Sequence, residues 1–304
     1  MGIATVRDCS IRMGIPTLSS EQRKGACGFL PIPFEGMGAR RTRSMELTRK
    51  VALVTGAGSG IGKATTVLLA KQGARVAALS HTADEIQATA EEIQRGGGEA
   101  MAVVADISQE EQMQRAVQQV VDRWGQLDIV FANAGINGLW APIEELTVAD
   151  WSRTITNNLT GTFLTIKYAV PHLKKRGGSI IITSSVNGTR VFSNTGAIAY
   201  STTKAGQVAM TKMLAVELAP HNVRVNVICP GATQTEISEN TQQRDVEKVK
   251  FPVEYPKGRI PLGDGKPATA EDVGQLVLFL ASDAANQITG TEVWIDGGSS
   301  LVTG

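Results

Sequence analysis

Short apolar runs alternate with amphipathic stretches from Lys50 onward. The runs are VALVTG, RVAALS, AMAVVAD, LDIVFANAG, SIIITSS, VRVNVICPG and TEVWIDGG. Apolar, β-branched segments of this length are typical of strands that are buried on both faces of a sheet. After Ser108, one apolar stripe recurs every three to four residues and predicts a helix with a single core-facing side. Its members are Met113, Ala116, Val117, Val120, Val121 and Trp124.

This alternation of strand and helix predicts an α/β fold, a doubly wound seven-stranded parallel sheet in a single domain. We expect that domain to span residues 45–304 and to carry a lid at about 236–266, a stretch rich in proline, glycine and charge. Residues 1–44 show no sustained helical or strand period, which predicts a flexible or loosely packed N-terminal extension.

Composition narrows the possible functions without changing the predicted fold. The formal net charge is +1, so neither nucleic acid nor an anionic membrane is expected as a partner. The chain has 3 cysteines, with no CxxC pair, and 3 histidines, which argues against a disulfide framework and against a metal site. No apolar run reaches membrane-spanning length and no secretory signal core is present, so we expect a cytoplasmic protein.

The first predicted strand runs directly into the glycine-rich loop TGAGSGIG. Glycines at this point allow a tight turn and let a pyrophosphate approach the N-terminus of the following helix. The alternative is a βα turn that uses glycine only for its backbone conformation. We expect a dinucleotide to bind here, in contact with Gly56, Ser59, Gly60, Ile61 and Gly62.

The end of the second strand bears on the choice of cofactor. Dinucleotide folds place a carboxylate there to hold the ribose 2′-hydroxyl of NAD, whereas this chain has Ser80, His81 and Thr82. The missing carboxylate favours NADP(H), with NAD(H) still possible; alternatively, these residues form only a polar helix start. After the third strand, Asp106 could accept from the adenine amino group or cap the next turn. Its neighbour Ile107 is also expected to contact the cofactor.

The stretch AYSTTKAGQ places Tyr200 and Lys204 four residues apart, on one face of a predicted helix. By itself this pair could be an exposed helix contact. However, the strand IIITSS ends in the hydroxyls of Ser184 and Ser185 at the carboxyl edge of the predicted sheet. Because open α/β sheets bind ligands at that edge, the pair and the hydroxyls are candidates for one site.

Taken together, these motifs resemble the short-chain dehydrogenase/reductase superfamily over Leu47 to Gly298. The matching pieces are TGAGSGIG, NAG, NNLTGTF, SSVNG, YSTTK, CPGATQT and DGG. The resemblance implies a Rossmann fold and an enzyme that acts on CH–OH donors with NAD or NADP as acceptor. It also implies a small-molecule carbonyl or alcohol substrate and a homotetramer or homodimer.

The resemblance assigns the acid–base chemistry to Tyr200, the general acid in reduction and the base in oxidation. A free phenol has a pKa of about 10, too high for a base near neutrality. The ammonium of Lys204, together with the positive nicotinamide of the oxidised cofactor, would lower that pKa. Lys204 would also hold the nicotinamide ribose, so that both residues are expected to contact the cofactor.

The resemblance adds two further catalytic residues. Ser185 would hydrogen-bond the substrate oxygen and stabilise developing charge, with Ser184 as the competing choice. Asn158 would support a bound water in a proton relay, with the adjacent Asn157 as the alternative.

Two segments after predicted strands are expected to support the cofactor. In each, an ordinary turn after a strand is the alternative. The implied contacts are Asn133, Ala134 and Gly135 in NAG, and Pro230, Gly231, Thr233 and Thr235 in CPGATQT.

Substrate specificity is expected to lie in the loops around the site. The lining residues implied are Ile136, Trp140, Asn187 and Phe192. In the predicted lid, Phe251 and Tyr255 could meet an apolar or aromatic substrate.

Several functions remain open. Members of the family that are 3-oxoacyl-carrier-protein reductases often display basic residues near the site mouth for an acidic carrier. Here Arg176 occupies one matching position and the neutral His221 another, so the sequence supports this function only in part. A glucose-type sugar dehydrogenase is also possible. Outside enzymes, a catalytically silent dinucleotide-binding sensor is the alternative, although such proteins usually lose the tyrosine or the lysine.

Overall fold

Parallel strands form the central sheet of the computed structural model, which describes residues 45–235, 237, 241–250 and 260–303. The predicted extension at 1–44 and the lid residues Phe251 and Tyr255 lie outside the described residues. The described residues belong to a unit that spans Thr42–Gly304. Its strands are β1 Val51–Thr55, β2 Arg75–Ser80, β3 Glu99–Val104, β4 Ile129–Ala132, β5 Leu139–Trp140, β6 Gly178–Thr183, β7 Val223–Pro230, β8 Gln242–Gln243 and β9 Glu292–Ile295.

The main sheet has the strand order β3-β2-β1-β4-β6-β7-β9. Every neighbouring pair is parallel. Each of the seven apolar runs supplies one strand, so the predicted doubly wound, seven-stranded sheet is confirmed. The chain builds outward from β1 in one direction and then returns to build from β4 in the other. The crevice between β1 and β4 is therefore the point where such sheets bind ligands.

The helices cover both faces of this sheet. They are α1 Gly60–Lys71, α2 Ala83–Arg95, α3 Glu110–Trp124, α4 Val148–Ile155, α5 Gly161–Leu173, α6 Ile198–Leu218, α7 Ala270–Ala281 and α8 Ser299–Thr303. In the described part of the chain, no helix combines the length and the apolar character needed to span a bilayer.

Two hydrophobic cores follow from the alternation of side chains along each strand. In β1, Val51 and Leu53 pack with α3, α5 and α6, whereas Ala52 and Val54 pack with α1, α2 and α7. The predicted stripe of α3 faces the first of these cores. Trp124 ends that stripe at the edge of the sheet, where its indole N–H donates to Glu99 Oε1 at 2.6 Å.

A second, two-stranded sheet joins the described part of the predicted lid to the loop after β4. β5 pairs with β8 in parallel, and the Arg244 N–H donates to the Trp140 carbonyl at 2.9 Å. Lys248 Nζ lies 2.7 Å from Glu145 Oε1. Residues 241–250 are therefore fastened to the segment that follows β4.

Close packing explains the last glycine of the TGAGSGIG loop. A Cβ on Gly62 would overlap the Gly56 carbonyl oxygen and lie 2.8 Å from Asn133 Nδ2. Gly274, in α7, is different, because its Cβ would lie at an ordinary 3.6 Å from Leu68 Cδ2 and from Thr65. The two positions are matched helical glycines with opposite steric surroundings.

We therefore expect Gly62→Ala to lower the free energy of unfolding by about 2 kcal/mol or more, because backbone must move to admit the methyl group. Gly274→Ala should raise it by about 0.5 kcal/mol, since alanine is the better helix former. Chemical denaturation of both variants measures the difference. Equal effects at the two positions would contradict the close packing of the loop.

Candidate active site

A cavity of about 400 Å³ opens at the carboxyl ends of β1, β2, β4, β6 and β7. Most of the predicted site residues line it. These are Gly56, Ser59, Gly60, Ile61, Ser80, His81, Thr82, Asp106, Ile107, Asn133, Ala134, Gly135, Ile136, Ser185, Tyr200, Lys204, Pro230, Gly231, Thr233 and Thr235. The structure thus brings together both halves of the predicted site, the glycine loop and the tyrosine–lysine pair.

Two further lining residues, Asn157 and Ser184, are the alternatives considered beside Asn158 and Ser185. Several others were not predicted: Gly58, Leu79, Glu85, Ala105, Thr183 and Ile237. Glu85 is the charged member of this group. It lies in the first turn of α2, and a Cβ placed on Gly58 would overlap its carboxylate.

The N-terminus of α1 fits a negatively charged pyrophosphate. Its N-cap residue Ser59 makes no side-chain capping hydrogen bond, and the described first turn contains no acidic residue. The leading N–H groups of a helix carry partial positive charge and lack partners within the helix. Gly56 and Gly60 have φ of 67° and 50°, and a Cβ on Gly56 would lie 3.0 Å from Ala134 Cα. This uncapped, glycine-walled cradle has the form that dinucleotide phosphates require.

Asn133 ties together the ends of three strands beneath the cavity. Its side-chain amide donates to the Thr55 carbonyl at 3.2 Å, and its Oδ1 accepts from the Thr183 hydroxyl at 3.1 Å. The N–H groups of Asn133 and Ala134 donate to Thr55 Oγ1 at 3.0 and 3.1 Å. The NAG segment therefore fixes the cavity floor as well as lining it.

At the end of the cavity beside β2 and β3, polar lining residues also accept hydrogen bonds from backbone N–H groups of the local turns. Ser80 Oγ accepts from the Thr82 N–H at 3.4 Å, at the start of α2. Asp106 Oδ1 accepts from the Ser108 N–H at 2.8 Å. The turn-forming alternatives considered from the sequence are thus present in the structure, at residues that also line the cavity.

The Tyr200 and Lys204 side chains lie together within the cavity, almost completely shielded from solvent. Their exposed fractions are 9% and 4%. Lys204 Nζ lies 5.4 Å from the centroid of the Tyr200 ring and donates to the Thr183 carbonyl at 2.8 Å. The first turns of α6 thus hold a phenol and an ammonium against the end of β6.

Burial, rather than the neighbouring charge, dominates the titration of both groups. It raises the pKa of Tyr200 above its ordinary value, and a hydrogen bond with the Ser185 hydroxyl opposes that rise. Burial also lowers the pKa of Lys204 to about 8. Within the protein alone, withdrawal from water penalises the phenolate and sets the direction of the Tyr200 shift. That the ammonium and an oxidised nicotinamide together lower this pKa stays a prediction.

The hydrogen bonds separate the two candidate serines. The Ser184 hydroxyl donates to the backbone carbonyl of Lys204 at 2.8 Å, so it fastens β6 to α6. The Ser185 hydroxyl bonds with Tyr200, and its oxygen accepts from the Asn187 N–H at 3.1 Å. Ser185 is thus the hydroxyl placed beside the phenol.

Asn158 lies behind the cavity wall, not on it. It is fully buried within a π-helical turn, Thr156–Thr160, that leads from α4 into α5. Its side chain bonds the N–H and the carbonyl of Ile136, both at 2.8 Å, and donates to Thr203 Oγ1 at 3.2 Å. Asn158 therefore positions the wall residue Ile136, while its neighbour Asn157 lines the cavity.

Four predicted site residues, all within the described part of the chain, do not line the cavity. They are Gly62 and the predicted substrate residues Trp140, Asn187 and Phe192. Gly62 is packed beneath the loop, as described above. The indole N–H of Trp140 donates to the Asn137 carbonyl at 3.2 Å, within the segment that follows β4. The Asn187 N–H donates to Ser185 Oγ, and Asn187 Oδ1 accepts from the Asn194 side-chain amide at 2.8 Å. Phe192 is 70% exposed and borders a separate depression beside the start of α6.

Arg176 and His221, the residues considered for binding an acidic carrier, lie away from the mouth of the cavity in the structure. Arg176 lies two residues before β6, and His221 lies two residues before β7. Because the strands are parallel, both residues sit at the amino edge of the sheet, opposite the cavity. Within one chain, they do not border the site.

Comparison with known proteins agrees with this geometry. A family model described as enoyl-(acyl carrier protein) reductase, of the short-chain dehydrogenase type, matches residues 56–300. The 3-oxoacyl-[acyl-carrier-protein] reductase of Thermotoga maritima is 39% identical over 84% of this chain and 99% of its own length. The cyclohexanol dehydrogenase of an Acinetobacter species is 37% identical over 84% of this chain and 96% of its own.

A solved structure extends the likeness to three dimensions. The crystal structure of a 3-ketoacyl-ACP reductase from Sinorhizobium meliloti has a TM-score of 0.80 and 53% sequence identity. The match covers 83% of this chain and 99% of that one. The extent of these matches, together with a cavity that joins a glycine loop to a buried tyrosine–lysine pair, places the chain in the short-chain dehydrogenase/reductase family.

Proposed function

We propose that this protein is an NAD(P)(H)-dependent oxidoreductase that interconverts a secondary alcohol and a ketone, with Tyr200 as its acid–base group. The observation that carries the proposal is the shared cavity, in which Ser185, Tyr200 and Lys204 lie together and the uncapped N-terminus of α1 opens. The relatives that are reductases or alcohol dehydrogenases support this reaction class.

In ketone reduction, the Ser185 and Tyr200 hydroxyls donate to the substrate oxygen and stabilise the charge that develops on it. A dinucleotide held in this cavity would supply the hydride for reduction and accept it in oxidation. Tyr200 transfers its hydroxyl proton to the oxygen, so the product is a neutral alcohol. In oxidation, the phenolate removes that proton. Since burial raises the pKa of Tyr200, it favours the acid form that reduction needs.

The remaining predicted residues are proposed to position these groups. Asn158 fixes Ile136 and Gly135 on the wall, and Oδ1 of Asn158 would lie 3.0 Å from a Cβ on Gly135. Lys204 is proposed to hold the nicotinamide ribose, and Asn133 to Gly135 and Pro230 to Thr235 to support the nicotinamide end.

A neutral substrate fits this cavity best. Among the described lining residues, Lys204 is the only lysine or arginine, and Ile136 and Ile237 add apolar surface. A carrier-linked 3-oxoacyl group is the second candidate, favoured by the named reductases. Against it, Arg176 and His221 lie at the opposite edge of the sheet. A silent sensor is disfavoured because the tyrosine and the lysine are both present and face one cavity.

The cofactor, the assembly and the location follow as further proposals. The residues at 80–82 favour NADP(H), because they lack a carboxylate. We propose a cytoplasmic homotetramer built from domains at 45–304 with a lid at 236–266. Exposed apolar side chains on α5 and α6 support self-association: Phe163, Met213 and Val216 are 48%, 74% and 77% exposed.

The direct test is to assay a panel of neutral ketones and secondary alcohols and to monitor turnover by nicotinamide absorbance. We expect turnover with at least one pair, and Tyr200→Phe should lower kcat about 1000-fold because the proton donor is lost. The dissociation constant for the dinucleotide should change by less than about threefold.

Tyr168→Phe is the matched control for this panel. The Tyr168 hydroxyl donates to Glu110 Oε1 at 2.6 Å, away from the cavity, so its loss should leave kcat within about twofold. Full activity in Tyr200→Phe would refute the acid–base assignment.

The buried ammonium of Lys204 should cost stability. Its pKa in the folded protein is about 8, against an ordinary 10.5, so the unfolded chain binds more protons between these values. Stability should therefore rise as the pH passes from about 8 to about 10.5. Near pH ~7, we expect Lys204→Met to raise the free energy of unfolding by about 2 kcal/mol, after loss of the Thr183 hydrogen bond, while turnover falls.

Denaturation of both proteins across this pH range measures the effect, and the gain of Lys204→Met should shrink toward high pH. Lys175→Met, at an exposed lysine, should change stability by less than about 0.5 kcal/mol at any pH. If Lys204→Met is destabilised to the same degree at every pH, the ammonium carries no burial cost.

A further inference from the structure

Glu85 reaches back from α2 over the glycine loop. A Cβ on Gly58 would overlap the Glu85 carboxylate and lie 2.8 Å from Glu85 Cβ. One turn further along α2, the Thr89 hydroxyl lies 3.2 Å from the Ala57 carbonyl and 3.0 Å from the Glu85 carbonyl. The start of α2 is thus packed against the loop, and this packing carries the Glu85 carboxylate to the cavity.

The carboxylate lies at the end of the cavity where an adenosine ribose is held in dinucleotide folds. That end is formed by the residues that follow β2, His81 and Thr82, which line the cavity with Glu85. The strand itself ends without an acid. The first turn of α2 supplies one instead, from a position that is five residues beyond Ser80.

The charges at this end suit a hydroxyl and oppose a phosphate. Glu85 and Asp106 are the carboxylates among the described lining residues, and Lys204 lies at the other end, against Thr183. The Lys63 ammonium, in the first turns of α1, pairs with Glu92 Oε2 at 3.2 Å. A ribose 2′-hydroxyl can donate to a carboxylate, whereas a 2′-phosphate brings a charge of about −2 with no lysine or arginine of the described lining to receive it.

We propose that Glu85 is a specificity-determining residue that makes this enzyme prefer NAD(H) to NADP(H). The proposal rests on the proposed function, since it concerns the dinucleotide of that reaction. It reverses the preference inferred from residues 80–82, because the following helix supplies the acid that the end of β2 lacks.

The experiment measures dissociation constants for NADH and NADPH by calorimetry, and for the fragments 5′-ADP and 2′,5′-ADP, which lack nicotinamide. We expect the wild-type protein to bind NADH at least about tenfold more tightly than NADPH, and 5′-ADP more tightly than 2′,5′-ADP. Glu85→Gln should lower the preference for NADH over NADPH, and for 5′-ADP over 2′,5′-ADP, at least about fivefold. It should do so by strengthening binding of NADPH and 2′,5′-ADP, the ligands with a 2′-phosphate. Added salt should narrow the wild-type difference, because the repulsion is electrostatic.

Asp84→Asn is the matched control. Asp84 is an exposed acid in the same first turn of α2, but it does not line the cavity. Its removal should change the NADH-to-NADPH ratio by less than about twofold. A wild-type preference for NADPH, or a ratio that Glu85→Gln leaves unchanged, would overturn the role of Glu85 while leaving the oxidoreductase assignment intact. Failure to bind either dinucleotide would overturn both proposals.

Discussion

A lysine ammonium withdrawn from water constrains the geometry of the whole site. Such a charge needs a partner within the protein, and Lys204 finds it in the Thr183 carbonyl at the end of β6. The Lys204 carbonyl in turn accepts from the Ser184 hydroxyl, so two bonds join the first turns of α6 to the sheet. The Tyr200 phenol is carried on the same turns. Its place beside Ser185 therefore depends on how the ammonium is satisfied.

The cavity has opposite character at its two ends, and the glycine loop lies between them. The reactive end carries Lys204, Tyr200 and Ser185, whereas the far end carries the carboxylates of Glu85 and Asp106. Between them, the N-terminus of α1 offers amide groups to a pyrophosphate. We propose that this arrangement would give a bound dinucleotide one orientation, with its nicotinamide toward the phenol. One end of the cavity therefore carries the groups proposed for the reaction, and the other end carries the carboxylate proposed to select the cofactor.

The sequence predicts those features that depend on residue type and local spacing. The seven apolar runs become the seven strands because burial on both faces demands apolar residues throughout. The glycine loop and the Tyr200–Lys204 pair are equally visible, since each is set by a few neighbouring positions. The loop contact of Gly62 with Gly56 is the steric reason for its glycine.

Other features arise only from the tertiary structure. The Thr183 carbonyl that receives Lys204 is a backbone atom, so no residue type signals it. Glu85 is displaced along the chain from the expected acid, and it reaches the cavity because α2 packs on the loop. The positions of Trp140 and Phe192 depend on loop packing, which composition does not reveal. The raised pKa of Tyr200 likewise follows from burial.

The central claim, that Tyr200 exchanges the reaction proton, is tested most directly by measuring both directions of turnover between about pH 5 and about pH 11. With saturating dinucleotide, ketone reduction should fall as pH rises, because the phenol loses the proton that it must donate. Alcohol oxidation should rise over the same range, because the phenolate is then the required base. Rates that stay flat in both directions, or that change in the same sense, would contradict the account.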